Sequence, residues 1–386
     1  MKIVFISNYL NHHQVPFCEA MYKRFGDNFS FVSTSQMREE RRKLGYVEET
    51  APSYAKYSYI SPEACMECQR LINEADAVLT GTAPESLLQY RKKEKQLIIR
   101  YSERLLKRGN NLFKYIPRLI RFNARMRGIN QFLLCSSAYA YSDYQKFGLF
   151  KNKAYKWGYF PEIAQYDLPA VIAAKNKKKI LWCGRFLDWK HPDDAVYAAK
   201  SLLDTGYDFE LDMIGSGAME AQLKDLISTL GLEHVVHMLG SMNPNQVRQH
   251  MESAGIYLVT SDFNEGWGAV LNESMNSGCA VVASHAVGAA PYLIHNGENG
   301  LIYQSGSREA LSRSLKLLLD NPSEQDRLGE CAYHTIENLW NADIAAERFL
   351  KFVEEILAHG TCDLYDEGPC SRAERIKNNW FDHVEK

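Results

Sequence analysis

Residues 256–284 read IYLVTSDFNEGWGAVLNESMNSGCAVVAS and contain two short apolar runs, 256–260 and 280–284. Each run has the length and the β-branched content of a buried strand. The segment between them, 268–277, has the residue spacing of a helix. Strand, helix and strand in this order predict a parallel β-α-β unit.

The same alternation continues on both sides of this segment. Further strands are predicted at 179–183, 209–214 and 235–239, and further helices at 192–203, 219–230 and 243–253. The first half contains predicted strands at 2–7, 29–34, 77–80, 96–100 and 131–136. Two such series in a chain of 386 residues predict an α/β fold with two Rossmann-like, doubly wound domains. The polar stretch 167–178 sets the boundary, which gives domains at 1–170 and 171–361. The polar tail 362–386 either packs back on the first domain or is loosely ordered.

The composition is that of an ordinary globular protein, with 46% hydrophobic and 24% charged residues. A formal net charge of -2 predicts no nucleic-acid partner. No apolar stretch reaches the length of about 18 residues that a membrane-spanning helix needs. The nine cysteines are scattered, and Cys65 and Cys68 have no second CxxC pair with which to form a zinc site. This cysteine pattern, with a first apolar run too short for a signal peptide, favours the cytoplasm.

The segment 261–275 carries two carboxylates, Glu265 and Glu273, eight residues apart around a glycine-flanked turn. A helix that begins near Gly268 has free N–H groups in its first turn, and these favour a phosphate. Carboxylates accept hydrogen bonds from neighbouring hydroxyls of a sugar. The pattern therefore predicts that both glutamates bind one ligand, and two solvated surface glutamates are the alternative.

Two cations follow the predicted strand 179–183. Gly184 ends the strand, and Arg185 and Lys190 come directly after it. Ligands of open parallel sheets bind at this end of the strands, and two cations beside a helix start suit a diphosphate. Two solvated surface cations near a turn are the alternative. Gly215 and Gly217 follow the next strand and permit either a close backbone approach to a ligand or a simple tight turn.

In this order and spacing, the segments resemble the C-terminal domain of the retaining glycosyltransferases of family 4 (glycosyl transferases group 1), which have the GT-B fold. The resemblance covers about 179–357. It rests on Gly184-Arg185-Phe186 with Lys190, on Gly215-Ser216-Gly217, on Glu265-x7-Glu273, on Val281-Val282-Ala283-Ser284 followed by Gly288, and on Asn296-Gly297-Glu298-Asn299-Gly300. It implies two Rossmann-like domains that face each other across a cleft, the first on the acceptor side and the second holding the donor nucleotide.

The resemblance also implies roles for single residues. Arg185 and Lys190 would bind the diphosphate of a nucleotide-sugar donor, Glu273 the ribose, and Glu265 the hydroxyls of the donor sugar. Arg185, Lys190 and Glu265 are thus the catalytic candidates. The implied donor site consists of Gly184, Arg185, Lys190, Gly215, Gly217, Val236, Leu239, Glu265, Gly266, Trp267, Gly268 and Glu273.

The loop after the first strand departs from the family pattern. Many relatives have glycines there, whereas residues 8–16 of this chain contain none. A histidine of the N-terminal domain approaches the donor sugar in some relatives, and His12 and His13 are the candidates here. A solvated or structural role is the alternative for both.

The expected reaction needs no cofactor other than the nucleotide-sugar substrate. Negative charge grows on the leaving diphosphate, and Arg185 and Lys190 would stabilise it. No Asp-x-Asp motif that would hold a divalent cation follows a predicted strand. Metal independence and the absence of a metal site are therefore expected.

One region is strongly basic. Between Arg91 and Arg127 lie thirteen lysines and arginines, against two glutamates, with apolar residues interleaved. Such a segment suits the surface of an anionic membrane, which would place a cytoplasmic enzyme peripherally on the inner face and near a lipid-linked acceptor. A solvated helix face over the core is the equal alternative.

The overall prediction is a transferase of the hexosyltransferase type that moves a sugar, from a UDP-sugar by preference, to a saccharide or lipid-linked acceptor. The resemblance points to assembly of a surface polysaccharide or glycolipid. A sugar-nucleotide epimerase of the same fold and a non-catalytic nucleotide- or carbohydrate-binding relative are the alternatives.

Overall fold

The computed structural model describes residues 1–37, 52–91, 96–107, 116–117 and 130–383. Its contacts group the chain into two compact units. The first unit consists of Met1–Glu162 and Asn341–Ile376, and the second of Ile163–Trp340 and Lys377–Lys386. The chain therefore passes from one unit to the other three times.

The first unit is built on a seven-stranded sheet in which every pairing is parallel. The order of its strands is β3-β2-β1-β4-β5-β6-β7. The strands are β1 (Ile3–Ser7), β2 (Phe29–Ser33), β3 (Ala55–Tyr57), β4 (Ala77–Thr80), β5 (Leu97–Ser102), β6 (Gln131–Cys135) and β7 (Ala154–Lys156).

The second unit has a six-stranded sheet, also parallel throughout. Its order is β10-β9-β8-β11-β12-β13. The strands are β8 (Asn176–Cys183), β9 (Glu210–Ile214), β10 (Val236–Gly240), β11 (Ala254–Val259), β12 (Ala280–Ser284) and β13 (Leu301–Tyr303). In both sheets the first strand of the unit lies inside and the order reverses beside it, which is the doubly wound arrangement of dinucleotide-binding folds. The predicted α/β, doubly wound architecture is confirmed.

Helices connect the strands of both units. Within the described residues they are α1 (Val15–Phe25), α2 (Pro62–Glu74), α3 (Ala140–Gln145), α4 (Leu168–Ala174), α5 (Pro192–Asp204), α6 (Glu220–Thr229), α7 (Pro244–Ser253), α8 (Ala269–Asn276), α9 (Ala290–Leu293), α10 (Arg308–Asp320), α11 (Pro322–Asn338) and α12 (Ala342–His359). None of them is long and apolar enough to cross a membrane, as far as the described residues go.

The strands are apolar because both faces of each sheet are covered. Every residue of β1, β11 and β12 is buried, as expected for central strands of a parallel sheet. Several helices begin at a polar side chain that accepts a backbone hydrogen bond, among them α7, where Asn243 and Gln246 form a capping box. These local signals explain why the predicted strands and helices agree with the observed ones to within a few residues.

The grouping of contacts differs from the predicted domain boundaries. The first segment of unit one ends at Glu162 instead of 170, and α12 belongs to the first unit instead of the second. In α12, Phe349 packs on Phe17 and on Trp157, with ring centroids 5.8 and 5.7 Å apart. Helical periodicity shows that α12 has an apolar face but does not tell which sheet the face covers. The predicted tail is also divided, since residues up to Ile376 lie in the first unit and the rest in the second.

Three of the four described cations of the basic segment are buried and bound within the protein, whereas Lys107 pairs with Glu103 and is 34% exposed. Arg91 is fully buried and donates to the carbonyl groups of Ile72 and Ala75, at 2.5 and 2.8 Å. Arg100 pairs with Glu85, at 2.7 Å. Arg104, also buried, binds Asp143 through two hydrogen bonds of 3.2 Å (Asp143 is itself buried). The prediction of a membrane surface is wrong for these three arginines. Residues 92–95, 108–115 and 118–129 lie outside the described residues, so membrane contact stays a prediction there.

Candidate functional site

The candidate site lies in the second unit, where the loops after β8, β9 and β11 leave the carboxyl edge of the sheet. β8 and β11 are neighbours, and the strand order reverses between them. Ligands of open α/β sheets bind in the crevice at such a switch point, because the two loops diverge to opposite faces there.

Lys190 and Glu265 form an ion pair at this switch point. Lys190 ends a single 3-10 turn after β8, and Glu265 lies in the loop between β11 and α8. Only 14% and 11% of their side-chain surfaces are exposed. The hydroxyl of Ser261 also donates to Oε2 of Glu265, at 3.0 Å. Two residues predicted for different parts of a donor thus lie in direct contact.

Further hydrogen bonds connect the same two loops. The indole Nε1 of Trp182 donates to the hydroxyl of Thr260 at 2.8 Å, and that hydroxyl donates to the carbonyl of Lys190 at 2.7 Å. The N–H of Asp262 donates to the carbonyl of Trp189, at 3.0 Å. The position of Lys190 relative to Glu265 is therefore fixed by main-chain contacts as well as by charge.

His191 and Asp262 form a second pair beside the first, with 3.5 Å between Nε2 and Oδ2. The hydrogen bond to Asp262 raises the pKa of His191, although partial burial acts in the opposite direction. Burial acts to raise the pKa of Asp262, but hydrogen bonds from His191 and Asn264 outweigh it and leave that pKa below the ordinary range. This pair was not among the residues predicted from the sequence. Its only signal was His191 directly after Lys190 and Asp262 three residues before Glu265.

Glu273 lies in the second turn of α8 and is half-buried. Burial raises the pKa of Glu273, and the guanidinium of Arg248 on α7 opposes the shift. Cys183, the last residue of β8, has its pKa raised to about 12 by burial, with Glu273 adding to the shift and Lys190 opposing it. Glu273 and Lys190 therefore both face the end of β8. Among the described residues, no side chain is recorded as hydrogen-bonded to the Glu273 carboxylate.

Arg185 is exposed, directly after Gly184 in the loop that follows β8. Within the described parts of the chain it has no recorded ion pair or hydrogen bond. Its guanidinium is thus available to an anion at the carboxyl edge of the sheet, in the same loop as Lys190.

The two glycines after β9 have a packing role. A Cβ at Gly215, whose φ is +143°, would lie 1.9 Å from the carbonyl oxygen of Gly184, and a Cβ at Gly217 would lie 2.4 Å from that of Phe186. The loop after β9 therefore rests with its backbone on the loop after β8. The close approach that was predicted toward a ligand is an approach between two loops of the protein.

The turn before α8 combines a left-handed glycine with a buried tryptophan. Gly268 has a φ of +92° and caps α8, so the first N–H groups of that helix have no partner within it. The side chain of Trp267 is fully buried, donates to Oδ1 of Asn272 at 2.7 Å and packs on Trp340. It belongs to the core, so Trp267 and its neighbour Gly266 can offer a donor only main-chain groups.

The structure places Val236 away from the site. Val236 is the first residue of β10, is buried in the core and pairs with Leu211 at the start of β9. The site lies at the other end of these strands, about 13 Å along β10 at 3.3 Å per residue. Leu239 is nearer to that end and half-buried, and Gly240 ends the strand. The prediction is wrong for Val236, because the resemblance located the segment without the strand register.

His12 and His13 lie in the first unit, in the loop between β1 and α1. The ring of His13 stacks on Tyr159, with centroids 5.6 Å apart and planes 13° from parallel. The ring centroids of the two histidines are 3.6 Å apart. The hydroxyl of Tyr159 donates to the carboxylate of Glu103. Both histidines thus belong to an aromatic and acidic cluster at the carboxyl edge of the first sheet.

Comparison with known proteins shows which protein family the residues of the candidate site resemble. Residues 167–335 match the family model "Glycosyl transferases group 1". A D-inositol 3-phosphate glycosyltransferase of Corynebacterium aurimucosum is 30% identical over 174 residues, which are 43% of this chain and 41% of that protein. The amylovoran biosynthesis glycosyltransferase AmsK of Erwinia amylovora is 28% identical over 206 residues, 52% of this chain and 50% of that one. The chain thus matches about half or less of the length of these relatives.

Solved structures resemble nearly the whole chain. Anabaena Alr3699/HepE in complex with UDP has a TM-score of 0.68 at 15% identity, over 92% of this chain and 100% of that one. A glycosyltransferase from Rickettsia africae has a TM-score of 0.65 at 16% identity, over 93% and 99%. At these identities the likeness concerns the fold, which is GT-B. Residues 167–335, with the candidate site, match the model of the glycosyl transferases group 1 family, and the described part of the chain has the GT-B fold.

Proposed function

We propose that the chain is a retaining glycosyltransferase of family 4 that transfers a sugar from a nucleotide-diphosphate donor, by preference a UDP-sugar. The observation that carries the proposal is the Lys190–Glu265 pair at the switch point between β8 and β11, with Arg185 exposed in the loop that follows β8 and Glu273 facing the same strand end. This set unites two cations for a diphosphate and two carboxylates for hydroxyl groups in one place.

The charges of these four side chains favour a different role for each in donor binding and transfer. Arg185 has no ion pair or hydrogen bond to another described side chain and binds the diphosphate first. Lys190 then lies between the diphosphate and Glu265, so that it stabilises the charge that grows on the leaving group. Glu265, held by Ser261, accepts hydrogen bonds from the donor sugar, and Glu273 accepts them from the ribose. On this proposal the Lys190–Glu265 pair needs little rearrangement when the donor binds, which lowers the reorganisation needed during the reaction.

The names of similar proteins support the choice of donor and setting. The Anabaena structures hold UDP, UDP with glucose, or UDP-glucose. The Erwinia relative is named for amylovoran biosynthesis. For this chain we propose a saccharide or lipid-linked acceptor and a role in surface polysaccharide or glycolipid assembly at the cytoplasmic face of a membrane.

Metal independence is part of the proposal. Arg185 and Lys190 supply two positive charges at the place where the diphosphate leaves, which is the role that a divalent cation has in other transferases. Transfer rates with and without EDTA, followed by added Mg²⁺ or Mn²⁺, test this point. Equal rates are expected, and a rate restored only by the metal would contradict it.

The first test of the function is a thermal-shift panel of UDP, GDP, ADP, dTDP and NAD on the wild-type chain and on Arg185→Ala. Stabilisation by one nucleoside diphosphate, lost in the variant, is the expected result. The matching sugar nucleotides are then assayed for release of the diphosphate and for the anomeric configuration of the product by NMR. Stabilisation by NAD alone, or an unchanged response in the variant, would contradict the site. Diphosphate binding without any release or transfer would favour a non-catalytic relative.

A further inference from the structure

A histidine outside the predicted site lies between the candidate donor loop and the end of the chain. His285 follows β12 directly and is 4% exposed. Its Nδ1 accepts a hydrogen bond from the N–H of Ser305 at 2.9 Å, and its Nε2 lies 3.0 Å from the carbonyl oxygen of Asn378. A backbone N–H only donates and a carbonyl only accepts, so both bonds form when the ring is neutral and carries its proton on Nε2.

Aromatic contacts also join His285 to the C-terminal residues on one side and to the candidate donor loop on the other. Phe381, which is 1% exposed, stacks on His285 with centroids 5.8 Å apart and planes 20° from parallel. Trp380 meets the histidine at 6.4 Å and Phe381 at 5.5 Å. On the other side, Phe263 contacts the histidine edge to face, at 5.3 Å and 86°. We call residues 377–381 the C-terminal clasp.

Phe263 belongs to the loop that carries Glu265. It stands between Asp262, which pairs with His191, and Asn264, whose N–H donates to Asp262 at 2.7 Å. The N–H of Glu265 donates to the carbonyl of Asp262, at 3.0 Å. A displacement of Phe263 therefore moves the turn that sets the direction of the Glu265 side chain.

We propose that the C-terminal clasp, acting through His285 and Phe263, holds the loop 261–268 in the conformation in which Glu265 pairs with Lys190. His285 is thus a positioning residue, which acts on the loop and not on the donor. The consequence for donor binding rests on the proposed function, whereas the effect on the loop does not. The clasp follows the second segment of the first unit, so it lies more than two hundred residues after the start of the unit whose loop it holds.

The test compares Phe381→Ala and a chain that ends at Ile376 with the wild type. Asn379→Ala is the matched control, since Asn379 is an exposed clasp residue with no recorded contact among the described residues. Hydrogen–deuterium exchange reports on the peptide that covers 261–268, and exchange of β6 in the first unit serves as the internal reference. Both variants are expected to make the loop amides exchange about five to ten times faster, and the control to leave them unchanged.

Two further measurements distinguish the effect of the clasp on the loop from a loss of overall stability and from the effect on donor binding. His285→Gln keeps an N–H for the Asn378 carbonyl, so the loop should exchange more slowly in it than in His285→Ala. UDP affinity, measured by calorimetry, should fall about threefold to tenfold in Phe381→Ala, because a less ordered loop must be fixed on binding.

The possible results are distinct. Unchanged loop exchange in Phe381→Ala and in the shortened chain overturns the clasp, and so does faster exchange of the loop and β6 alike. Faster loop exchange with unchanged UDP affinity overturns its role in donor binding. If the wild-type chain binds none of the nucleoside diphosphates, the proposed function fails, and the exchange experiment still decides whether the clasp holds the loop.

Discussion

Lys190 and Glu265 are ion-paired between the loops that follow two neighbouring strands, β8 and β11, and both side chains are mostly buried. The pair gives each loop a fixed partner in the absence of a ligand. It also keeps the cation that is proposed to bind the diphosphate next to the carboxylate that is proposed to bind the sugar. The contact therefore makes the two residues interdependent, and substitutions should affect them jointly.

Lys190→Ala should reduce the transfer rate by about 30- to 1000-fold, which corresponds to the roughly 2–4 kcal/mol lost with one preorganised charge-stabilising group. The remaining Glu265 carboxylate then faces the diphosphate without compensation, so UDP affinity should fall as well. Steady-state kinetics and calorimetry measure both effects. Lys224→Ala, which removes an exposed i,i+4 pair on α6, is the control and should change neither. A Lys190→Ala enzyme with an unchanged rate would contradict the assigned role.

Glu273→Gln should stabilise the free protein and weaken nucleotide binding. Burial raises the pKa of Glu273, so the folded protein binds this proton more tightly than the unfolded chain does. The free energy of unfolding therefore falls as the pH rises from the ordinary carboxyl range through the raised pKa. Gln carries no charge and escapes this loss, so the variant should have the higher Tm at pH 7 and no advantage at a pH below the ordinary carboxyl pKa. Thermal denaturation over pH, with and without UDP, checks both parts. A lower Tm at pH 7 would contradict the first part.

His191 should contribute to stability within a limited pH window. Its pKa is raised, so its contribution is complete below the ordinary histidine pKa and is lost as the pH rises through the raised value. The pKa of Asp262 is lowered, so its contribution is complete above the ordinary carboxyl pKa and is lost as the pH falls through the lowered value. The ion pair therefore stabilises the fold most between the ordinary carboxyl pKa and the ordinary histidine pKa.

His191→Asn tests this window without changing the backbone. His191 has a φ of +47°, a left-handed conformation that Asn tolerates better than most residues. Urea denaturation of the variant and the wild type should give the largest difference in unfolding free energy between the ordinary carboxyl pKa and the ordinary histidine pKa, and a smaller one above the raised histidine pKa. A difference that is the same at every pH would show that the ion pair does not contribute.

Gly215→Ala should destabilise the second unit by more than about 2 kcal/mol, because a Cβ 1.9 Å from the Gly184 carbonyl forces two backbones apart. Gly231→Ala is the matched control. Gly231 also has a positive φ, +67°, but has no atom within 4 Å of its Cβ position, so it should cost only the backbone strain of about 1 kcal/mol. Chemical denaturation compares the two. Equal losses would mean that the contact between the loops adds nothing to the strain.

The sequence predicted the parts of the site that follow strand ends. The location of Arg185, Lys190 and Glu265 at one edge of the sheet could be predicted because a parallel sheet brings the carboxyl ends of its strands together, and their roles remain predictions. For Val236 and the two glycines after β9, the roles predicted from the sequence differ from what the structure shows. Their roles depend on strand register and on contacts between loops, which periodicity does not report. The contact of His285 with the end of the chain joins residues 93 positions apart and leaves no local pattern at all.

Arg104 should prove to be a structural residue of the basic segment. Its side chain and that of Asp143 are 3% and 2% exposed, and the carboxylate also accepts the N–H of Leu106 at 3.0 Å. Removing Arg104 leaves the buried Asp143 carboxylate with Lys146, 3.7 Å away and partly exposed, as its remaining cation, so Arg104→Met should cost about 3 kcal/mol of unfolding free energy. Binding to vesicles with anionic lipids should be unaffected, since a buried guanidinium does not reach a surface.

Replacement of Arg118, Arg121 and Arg125 together by Gln tests the remaining prediction, that the basic segment contacts a membrane. It should weaken vesicle binding, by about 1 kcal/mol for each charge, if the segment meets a membrane. Unchanged vesicle binding in that variant would leave the basic segment without a role at a membrane, and weaker binding in Arg104→Met would contradict the burial of its charge.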